Sequence, residues 1–380
     1  MSEPGGSGCD VAIIGAGPAG AACALALTRA GVASVALIDA GRADASLATV
    51  GETIPPDTRT LFDRLGLAQA FLDEGHEPCL GSCSAWGNDL LGHNDFLLNP
   101  QGSGWHLDRA RFDFFLRDRA RAAGATLIEG ARLADADADG EGGYRLRLAM
   151  PGGASRSLGA RFVVDATGRA SAFARHVGAR QLPLDRLTFV YGFFDSAGAA
   201  SRSRLTLLEA APHGWWYAAG LPGERLAVAF AADADRVRQE GLARDGRWLG
   251  AALATRHLAR RLDGCRFIAG SLVPRVAASF RLDLAAGPRW LALGDAAACF
   301  DPLAAQGIYK AIEDGLDGAA LIAAALDRGG ELTGEHQAAS LARFDEYLSN
   351  RNYFYGLERR WPGSAFWQRR QARTALPLAA

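Results

Sequence analysis

A run of glycines directly after a short apolar segment constrains the fold more than any other part of the chain. Residues 11–14 (Val-Ala-Ile-Ile) have the composition of a buried parallel strand, and residues 15–20 (Gly-Ala-Gly-Pro-Ala-Gly) follow at once. Gly15 permits a tight turn, Gly17 lets the backbone approach a pyrophosphate, and Gly20 lets the next helix pack on the strand. The pattern predicts a βαβ unit with a helix over about 19–30, whose first residues, including Ala19, bind a dinucleotide.

An acidic residue ends the next predicted strand. Residues 34–38 are apolar after Ser34, and Asp39 follows them about 20 residues after Gly20. A carboxylate there accepts hydrogen bonds from ribose hydroxyls and repels a 2′-phosphate. Arg42 is predicted to lie near the adenine or the phosphates.

A second strand-and-turn pattern, far along the chain, identifies which dinucleotide is expected. Residues 290–295 (Trp-Leu-Ala-Leu-Gly-Asp) predict a parallel strand that delivers the Asp295 carboxylate to the ligand crevice. After Asp301, a turn precedes a helix that runs to about residue 326, with its free N–H groups placed to stabilise negative charge on a bound ring. The predicted ring-side residues are Pro302, Gln306, Gly307 and Ile308. The two patterns together predict FAD, with Asp295 on the ribityl chain.

The source of electrons stays open at this level. No second Gly-x-Gly-x-x-Gly pattern follows a strand, so no separate NAD(P)H domain is expected. Either NAD(P)H reduces the flavin directly, or a separate flavin reductase supplies the electrons.

Two further segments resemble a known group of FAD enzymes. Residues 161–168 (Arg-Phe-Val-Val-Asp-Ala-Thr-Gly) form one, and residues 109–116 match the pattern Arg-x-x-Phe-Asp-x-x-Leu. The chain is similar to the superfamily that includes p-hydroxybenzoate hydroxylase, geranylgeranyl reductases and flavin-dependent halogenases. The resemblance implies that Arg109 contacts FAD.

Residues 51–56 (Gly-Glu-Thr-Ile-Pro-Pro) resemble a loop shared by halogenases and a neighbouring monooxygenase branch. Halogenases need a lysine soon after this loop, but Lys310 is the only lysine in the chain. They also carry a Trp-x-Trp-x-Ile-Pro run, and residues 214–221 depart from it at its second Trp and at Ile-Pro. Both departures disfavour halogenation, although a halogenase or a C=C reductase on the same fold is kept as an alternative.

A narrower resemblance extends over nearly the whole chain. Residues 81–87, 104–109, 214–217 and 301–303 and the tail 359–370 are similar to the flavoproteins that mature tryptophylquinone enzymes, namely the partners of lysine ε-oxidase, glycine oxidase and quinohemoprotein amine dehydrogenase. Those flavoproteins have Ser-Ser or Ser-Gly where this chain has Ala304-Ala305. The resemblance implies a monooxygenase that hydroxylates an aromatic ring, either Trp in a partner polypeptide or a small aromatic in a biosynthetic pathway. A non-catalytic flavoprotein chaperone is the alternative from another class.

Three residues are predicted to carry the chemistry. A base is needed to deprotonate a phenol-like or indole intermediate, and Glu52 and His106 lie in the loops most favoured to border the cavity. Trp216 is predicted to shield the reacting centre from water, together with other aromatic residues of segment 214–217.

The predicted fold is α/β. It has a Rossmann-like FAD-binding domain of the p-hydroxybenzoate hydroxylase and glutathione reductase type, an inserted mixed β-sheet substrate lobe and a C-terminal helical tail. The predicted division assigns 1–85, 107–180 and 268–340 to the FAD domain, 86–106 and 181–267 to the substrate lobe, and 341–380 to the tail. The aromatic and arginine residues of the tail either contact a partner or pack on the FAD domain.

Composition excludes several partners. The formal net charge of −1 disfavours nucleic acid, and the six cysteines show no metal-ligand spacing. No apolar run reaches the roughly 18 residues of a membrane helix, and the amino terminus lacks a basic leader, so a cytoplasmic enzyme is expected.

Overall fold

The computed structural model of the protein describes residues 8–41, 53–140, 142–199, 203–328 and 333–372. In chain order the strands are β1 (Gly8–Ile14), β2 (Val35–Asp39), β3 (Thr53–Ile54), β4 (Glu77–Cys79), β5 (Gly81–Ala85), β6 (Gly92–Asp95), β7 (Gly104–His106), β8 (Thr126–Glu129), β9 (Arg132–Ala138), β10 (Tyr144–Ala149), β11 (Ser155–Asp165), β12 (Gln181–Pro183), β13 (Leu187–Asp195), β14 (Leu205–Ala211), β15 (Gly214–Leu221), β16 (Arg225–Asp233), β17 (Arg266–Phe267), β18 (Val273–Val276), β19 (Phe280–Leu282), β20 (Ala286–Gly287), β21 (Trp290–Ala292) and β22 (Ala298–Cys299). The helices are α1 (Pro18–Arg29), α2 (Thr58–Arg64), α3 (Ala68–Asp73), α4 (Arg109–Ala122), α5 (Ala172–His176), α6 (Ala234–Gln239), α7 (Asp245–Leu253), α8 (Leu258–Arg261), α9 (Gly307–Arg328), α10 (Thr333–Leu357) and α11 (Ala365–Gln371).

The first sheet brings the ends of four parallel strands, β2, β1, β11 and β21, to one level. Its main order is β20-β21-β11-β1-β2-β8, and β9 and β10 extend it as an antiparallel meander through β11. Ile14 lies opposite both Ile38 and Asp165, and Asp165 lies opposite Ala292. Because parallel strands end at a common edge, the loops that follow these residues are neighbours there.

Two helices cross at close range on one face of this sheet. A methyl group placed on Gly315 of α9 would lie 2.6 Å from the carbonyl oxygen of Ala19 in α1. The absence of a side chain therefore allows the two backbones to touch. A methyl group added to Gly294 would lie within 4 Å of Ala19 and Ala311, so Gly294 also lies close to this crossing.

The second sheet is mixed, with the order β17-β13-β16-β15-β14-β5-β6. Its pairs are antiparallel except for the parallel pair β14 and β5. Along β15, Trp215 packs with Phe189 in the apolar cluster on one face, whereas Trp216 belongs to the cluster with Trp248 on the other. The predicted α/β fold with a mixed second sheet is confirmed.

One predicted helix is interrupted. The sequence predicts a helix near 242–262, but the structure has the separate helices α7 and α8 there. The buried carboxylate of Glu209, on β14, accepts hydrogen bonds from the backbone N–H groups of Arg256, His257 and Leu258. These groups are the free donors of a new helix start, so the carboxylate caps α8 and ends the continuous helix.

The C-terminal helices pack on the second sheet. Tyr355 of α10 and Trp367 of α11 are buried in the same apolar cluster as Trp215. Tyr355 and Trp367 of the tail thus pack on the second sheet and not on the FAD domain that one of the two sequence interpretations named, and Tyr353 and Phe354 are exposed.

The division into three domains stays a prediction. Strand β5 pairs with β14 in the second sheet although residues 81–85 were assigned to the FAD domain.

Among the described helices, none combines the length and apolar character that crossing a membrane requires.

Candidate active site

The turn between β1 and α1 forms a backbone cradle. Gly15 has φ +108°, and a methyl group on it would lie 2.2 Å from the Ala166 carbonyl oxygen. A methyl group on Gly20 would lie 1.9 Å from the Gly15 carbonyl oxygen, so these two positions tolerate only hydrogen. At Gly17, by contrast, an added methyl group meets no protein atom within 4 Å and would enter the main cavity that this residue lines. The space beside Gly17, at the start of α1, fits a pyrophosphate.

One cavity of about 570 Å³ joins this cradle to the second sheet. The predicted cofactor residues that line it are Gly15, Gly17, Ala19, Asp39, Arg109, Asp295, Pro302, Gly307 and Ile308. Gly20 packs behind the turn, and Gln306 has an exposed side chain while its carbonyl oxygen accepts from Lys310 N at 2.8 Å. Arg42 and Glu52 lie outside the described residues.

Asp39 lies at the cavity edge where the ribose was expected. Its carboxylate accepts a hydrogen bond from Gly41 N at 3.2 Å and forms an ion pair with Arg117 of α4. The ion pair holds the carboxylate in one orientation. Nothing in the sequence near residue 39 pointed to Arg117.

Arg109 begins α4, which starts here because the Asp108 side chain accepts a hydrogen bond from Arg111 N at 3.1 Å. The Arg109 guanidinium lies 3.2 Å from the Asp113 carboxylate one turn later and also lines the cavity. The aspartate in the Arg-x-x-Phe-Asp pattern thus orients the arginine towards the cofactor side.

The predicted ring side of the cavity contains a cluster of polar groups around Asp295. Asp295 lies beside the Cys299 thiol, and the pKa of that thiol is raised first by burial and then by the Asp295 charge. Arg169 also donates to the Cys299 sulfur and lines the same cavity. Opposite charges thus flank a buried thiol at the point where β11 and β21 end.

Four aromatic side chains face this cluster across the cavity. Phe189 and Tyr191 come from β13, and Trp215 and Tyr217 come from β15. Phe189 stacks on Tyr191 with ring centroids 5.5 Å apart and meets Trp215 edge to face at 5.1 Å. These four residues, here called the aromatic wall, present flat apolar surface suited to an aromatic ligand.

A hydrogen-bond chain runs from the aromatic wall to His106. The Arg204 carbonyl oxygen lies 3.3 Å from His106 Nε2 and can only accept, so Nε2 carries the proton and Nδ1 is the acceptor. Thr53 Oγ1 lies 3.1 Å from His106 Nδ1 and 3.2 Å from Tyr217 Oη. The chain therefore donates from Tyr217 to Thr53 and from Thr53 to His106.

This chain connects His106 to the cavity, which Thr53 and Tyr217 line. It is buried, and burial lowers its pKa to about 4, so the imidazole is neutral near pH 7 and a weak base. Its place beside Thr53 suits an orienting role better than the predicted role as a base.

The predicted catalytic role of Trp216 does not fit the structure. Its indole packs against Phe230 at 4.6 Å and Trp248 at 5.3 Å, on the face of the second sheet away from the cavity. Alternation along β15 is the reason, since neighbouring residues of a strand point to opposite faces. Trp215 and Tyr217 occupy the cavity face instead.

The buried neutral His106 predicts a specific pH dependence of stability. The unfolded histidine binds a proton below pH 6.5, but the folded one does so only near its pKa of about 4. Stability is therefore present above pH 6.5 and is lost as the pH falls towards 4. Between about pH 7.5 and pH 5 the wild-type protein should lose roughly 2 kcal/mol more unfolding free energy than His106→Gln, by denaturant titration.

The exposed His93 of β6 provides the control for this measurement. His93→Gln should keep the wild-type pH dependence, because its side chain is solvated in both states. Parallel loss of stability in the wild type and in His106→Gln would show that His106 is not buried in the neutral form.

Several cavity residues were missed at the sequence level. Thr53 directly follows the predicted Glu52, Arg169 directly follows the strand and turn 161–168, and Phe189, Tyr191 and Arg275 come from strands of the second sheet. Position next to a recognised motif was an available signal for Thr53 and Arg169. No motif indicated the other three.

Comparisons with known proteins show which family the chain resembles. The family described as FAD binding domain matches residues 8–342. The chain is 29% identical to the putative FAD-dependent oxidoreductase LodB of Marinomonas mediterranea, over 98% of this chain and 99% of that protein. It superposes on CmlS, a flavin-dependent halogenase, with a TM-score of 0.83 and 25% identity over 98% of this chain and 68% of that one. It superposes on QhpG, a peptidyl tryptophan dihydroxylase essential for tryptophylquinone cofactor biogenesis, with a TM-score of 0.71 and 25% identity over 96% and 79% of the two chains.

Proposed function

The chain belongs to the FAD binding domain family, and we propose that it uses FAD to hydroxylate an aromatic ring. It is a flavin-dependent oxidoreductase of the family that contains halogenases and monooxygenases. The observation that carries the proposal is the cavity itself, in which the aromatic wall faces the cluster around Asp295.

The residues of the cavity fit FAD from end to end. The space beside Gly17 suits the pyrophosphate, Asp39 the ribose, and Asp295 the ribityl chain. The start of α9 at Gly307 has free backbone N–H groups that would stabilise negative charge on a ring bound there. When bound and reduced, FAD would supply two electrons to dioxygen, so that one oxygen atom enters the substrate and the other leaves as water. We propose that NAD(P)H, directly or through a separate reductase, provides these electrons.

The protein's own contribution is to place the substrate and exclude water. The aromatic wall offers stacking surface, and its member Trp215 is held edge to face against Phe189. The chain from Tyr217 through Thr53 to His106 holds the Tyr217 hydroxyl in one direction at the edge of the substrate space. Water exclusion favours oxygen transfer over release of peroxide.

The substrate class follows from the wall and from the relatives. Stacking surface of this kind suits an electron-rich ring such as an indole or a phenol. The name of QhpG refers to tryptophan in a peptide, which supports a tryptophan residue of a partner polypeptide as one substrate. A small free aromatic is the other, and the experiment includes both.

Halogenation is the second candidate, because several relatives are named as halogenases. The halogenase chemistry implied by the resemblance needs a lysine amine near the substrate. Lys310 donates from Nζ to the Ala298 carbonyl oxygen at 2.9 Å and lies 3.3 Å from the Asp314 carboxylate. These two partners hold the amine on the ring side of the cavity, which Lys310 also lines.

The test is product analysis with the purified yellow protein. Reductant, dioxygen, chloride and bromide are supplied with free tryptophan, indole or tryptophan-containing peptides. We expect a product heavier by one oxygen atom, and isotopically labelled dioxygen should transfer its label to that product. Halogenated product, a reduced C=C bond, or peroxide alone with unchanged substrate would each contradict hydroxylation.

Neighbouring residues of β15 provide a matched pair of variants. Tyr217→Leu removes a ring and a hydroxyl from the aromatic wall, so product formation should fall while FAD stays bound. Trp216→Phe changes the opposite face of the same strand and should retain product formation. Equal losses in both variants would indicate damage to the sheet and not to a substrate site.

A further inference from the structure

Helix α10 presents three polar side chains to the ring side of the cavity. Tyr347, Arg351 and Tyr355 follow one another at intervals of four residues, so they lie on one face of the helix. All three are buried. They converge on Asp301, which is also buried and which lines the cavity at the start of the turn before α9.

The helix holds both the backbone and the carboxylate of Asp301. Asp301 N donates to Tyr347 Oη at 3.0 Å, and Tyr355 Oη donates to Asp301 Oδ2 at 2.7 Å. Leu303 N donates to the other carboxylate oxygen, Oδ1, at 3.0 Å. Arg351 Nε lies 3.9 Å from Oδ2. The position of the ring-side turn thus depends on α10.

The Tyr355 hydroxyl also accepts a hydrogen bond from the aromatic wall. Trp215 Nε1 donates to Tyr355 Oη at 3.1 Å. An indole N–H can only donate, so the Tyr355 oxygen accepts from Trp215 and its proton goes to Asp301. One hydroxyl therefore connects Trp215 of the aromatic wall with Asp301 of the ring-side turn, and both of these residues line the cavity.

The buried charges make this connection costly to break. Burial raises the pKa of Asp301, with a further contribution from Asp185, and Arg351 lies 3.1 Å from Asp185. Burial also raises the pKa of Tyr355, which stays protonated and able to donate. Removing the hydroxyl leaves a buried carboxylate oxygen and a buried indole N–H without this partner, and each such group is destabilising.

We propose that Tyr355 is a positioning residue, whose hydroxyl sets the separation between the aromatic wall and the ring-side turn. This inference rests on the proposed function for its catalytic consequence, since that separation determines how close an aromatic substrate lies to the flavin ring. Small displacements of a reacting group reduce rate strongly. The C-terminal helix, none of whose described residues lines the cavity, then supports two parts of the cavity lining from behind.

The test compares Tyr355→Phe with Tyr353→Phe on the same helix. Tyr353 is exposed, so its variant is the matched control. In Tyr355→Phe we expect retained FAD, an altered visible circular dichroism spectrum of the bound flavin, and a fall of about fivefold in product formed per dioxygen consumed, as expected for one buried hydrogen bond. Wild-type dichroism and wild-type coupling in Tyr355→Phe would overturn the proposal.

Two further variants keep the proposal testable if Tyr355→Phe does not fold. Trp215→Phe releases only the aromatic wall and should lower coupling with little change in flavin dichroism. Tyr347→Phe releases the turn, together with the contact to Ser279, while it leaves Trp215 bonded to Tyr355, and it should change the dichroism. Identical effects of these two variants on both readouts would contradict a connection between separate walls.

Failure of the proposed hydroxylation can be distinguished from failure of the positioning role of Tyr355. If the wild-type protein hydroxylates none of the substrates, the proposed function fails, whereas the flavin dichroism of Tyr355→Phe still reports on the turn. Unchanged dichroism in that variant would count against the positioning role, whatever the reaction.

Discussion

A Gly17→Ala variant is expected to fold normally and to bind FAD on the order of a hundredfold more weakly. Gly17 has φ −75°, and an added methyl group would meet no protein atom within 4 Å. The methyl group would instead enter the cavity beside the start of α1, where the pyrophosphate fits. The measurement is the FAD dissociation constant of the apoprotein by quenching of flavin fluorescence, with its thermal unfolding recorded in parallel.

Two glycines provide controls for Gly17→Ala. Gly246→Ala on α7 adds a methyl group in open space and should leave FAD binding unchanged. Gly15→Ala should impair folding itself, because its methyl group would collide with the Ala166 carbonyl at 2.2 Å. Wild-type affinity in Gly17→Ala would mean that the cofactor phosphates lie elsewhere.

An Asp295→Ala variant is expected to be purified with little flavin. Asp295 lines the cavity at the end of β21, where the ribityl chain is proposed to lie. Hydrogen bonds to a charged group contribute about 1.5–3 kcal/mol each, so losing two of them would weaken FAD binding by at least about a hundredfold. The measurement is the ratio of flavin to protein absorbance after purification and the dissociation constant on adding FAD back.

Two control variants test whether the loss of flavin is specific to the Asp295 carboxylate. Asp295→Asn keeps an acceptor at the same place and should retain more flavin than Asp295→Ala. Asp317→Ala removes a half-exposed carboxylate of α9 that pairs with Arg64, and it should retain stoichiometric flavin. Stoichiometric flavin in Asp295→Ala would refute the assignment of Asp295 to the ribityl chain.

Local patterns predicted the cofactor side of the cavity well. Gly15, Gly17, Asp39 and Asp295 all line one cavity, although they are widely spaced in the sequence. Each follows a strand of the same parallel sheet, and the carboxyl ends of such strands must meet at one edge. The assignment of these residues to particular parts of FAD stays a prediction that the variants above test.

The substrate side was predicted less well. Trp216 was chosen from a pair of neighbouring tryptophans. Because a shift of one residue along a strand moves the side chain to the opposite face of the sheet, the choice within the pair decides the outcome. The nearly continuous apolar run of β15 did not show which face lines the cavity. His106 was chosen as a base, yet its low pKa follows from burial, which is a property of the packed protein.

By itself, the sequence predicted the family and the α/β FAD-binding fold that the structure and the relatives confirm. These depend on turns, caps and strand composition, which act over a few neighbouring residues. Only the tertiary structure decided which face of β15 forms the aromatic wall and that Tyr355 joins Trp215 to Asp301. The three residues of that connection lie on separate elements, and each would satisfy its hydrogen bonds with water in the unfolded chain. Burial alone makes them depend on one another.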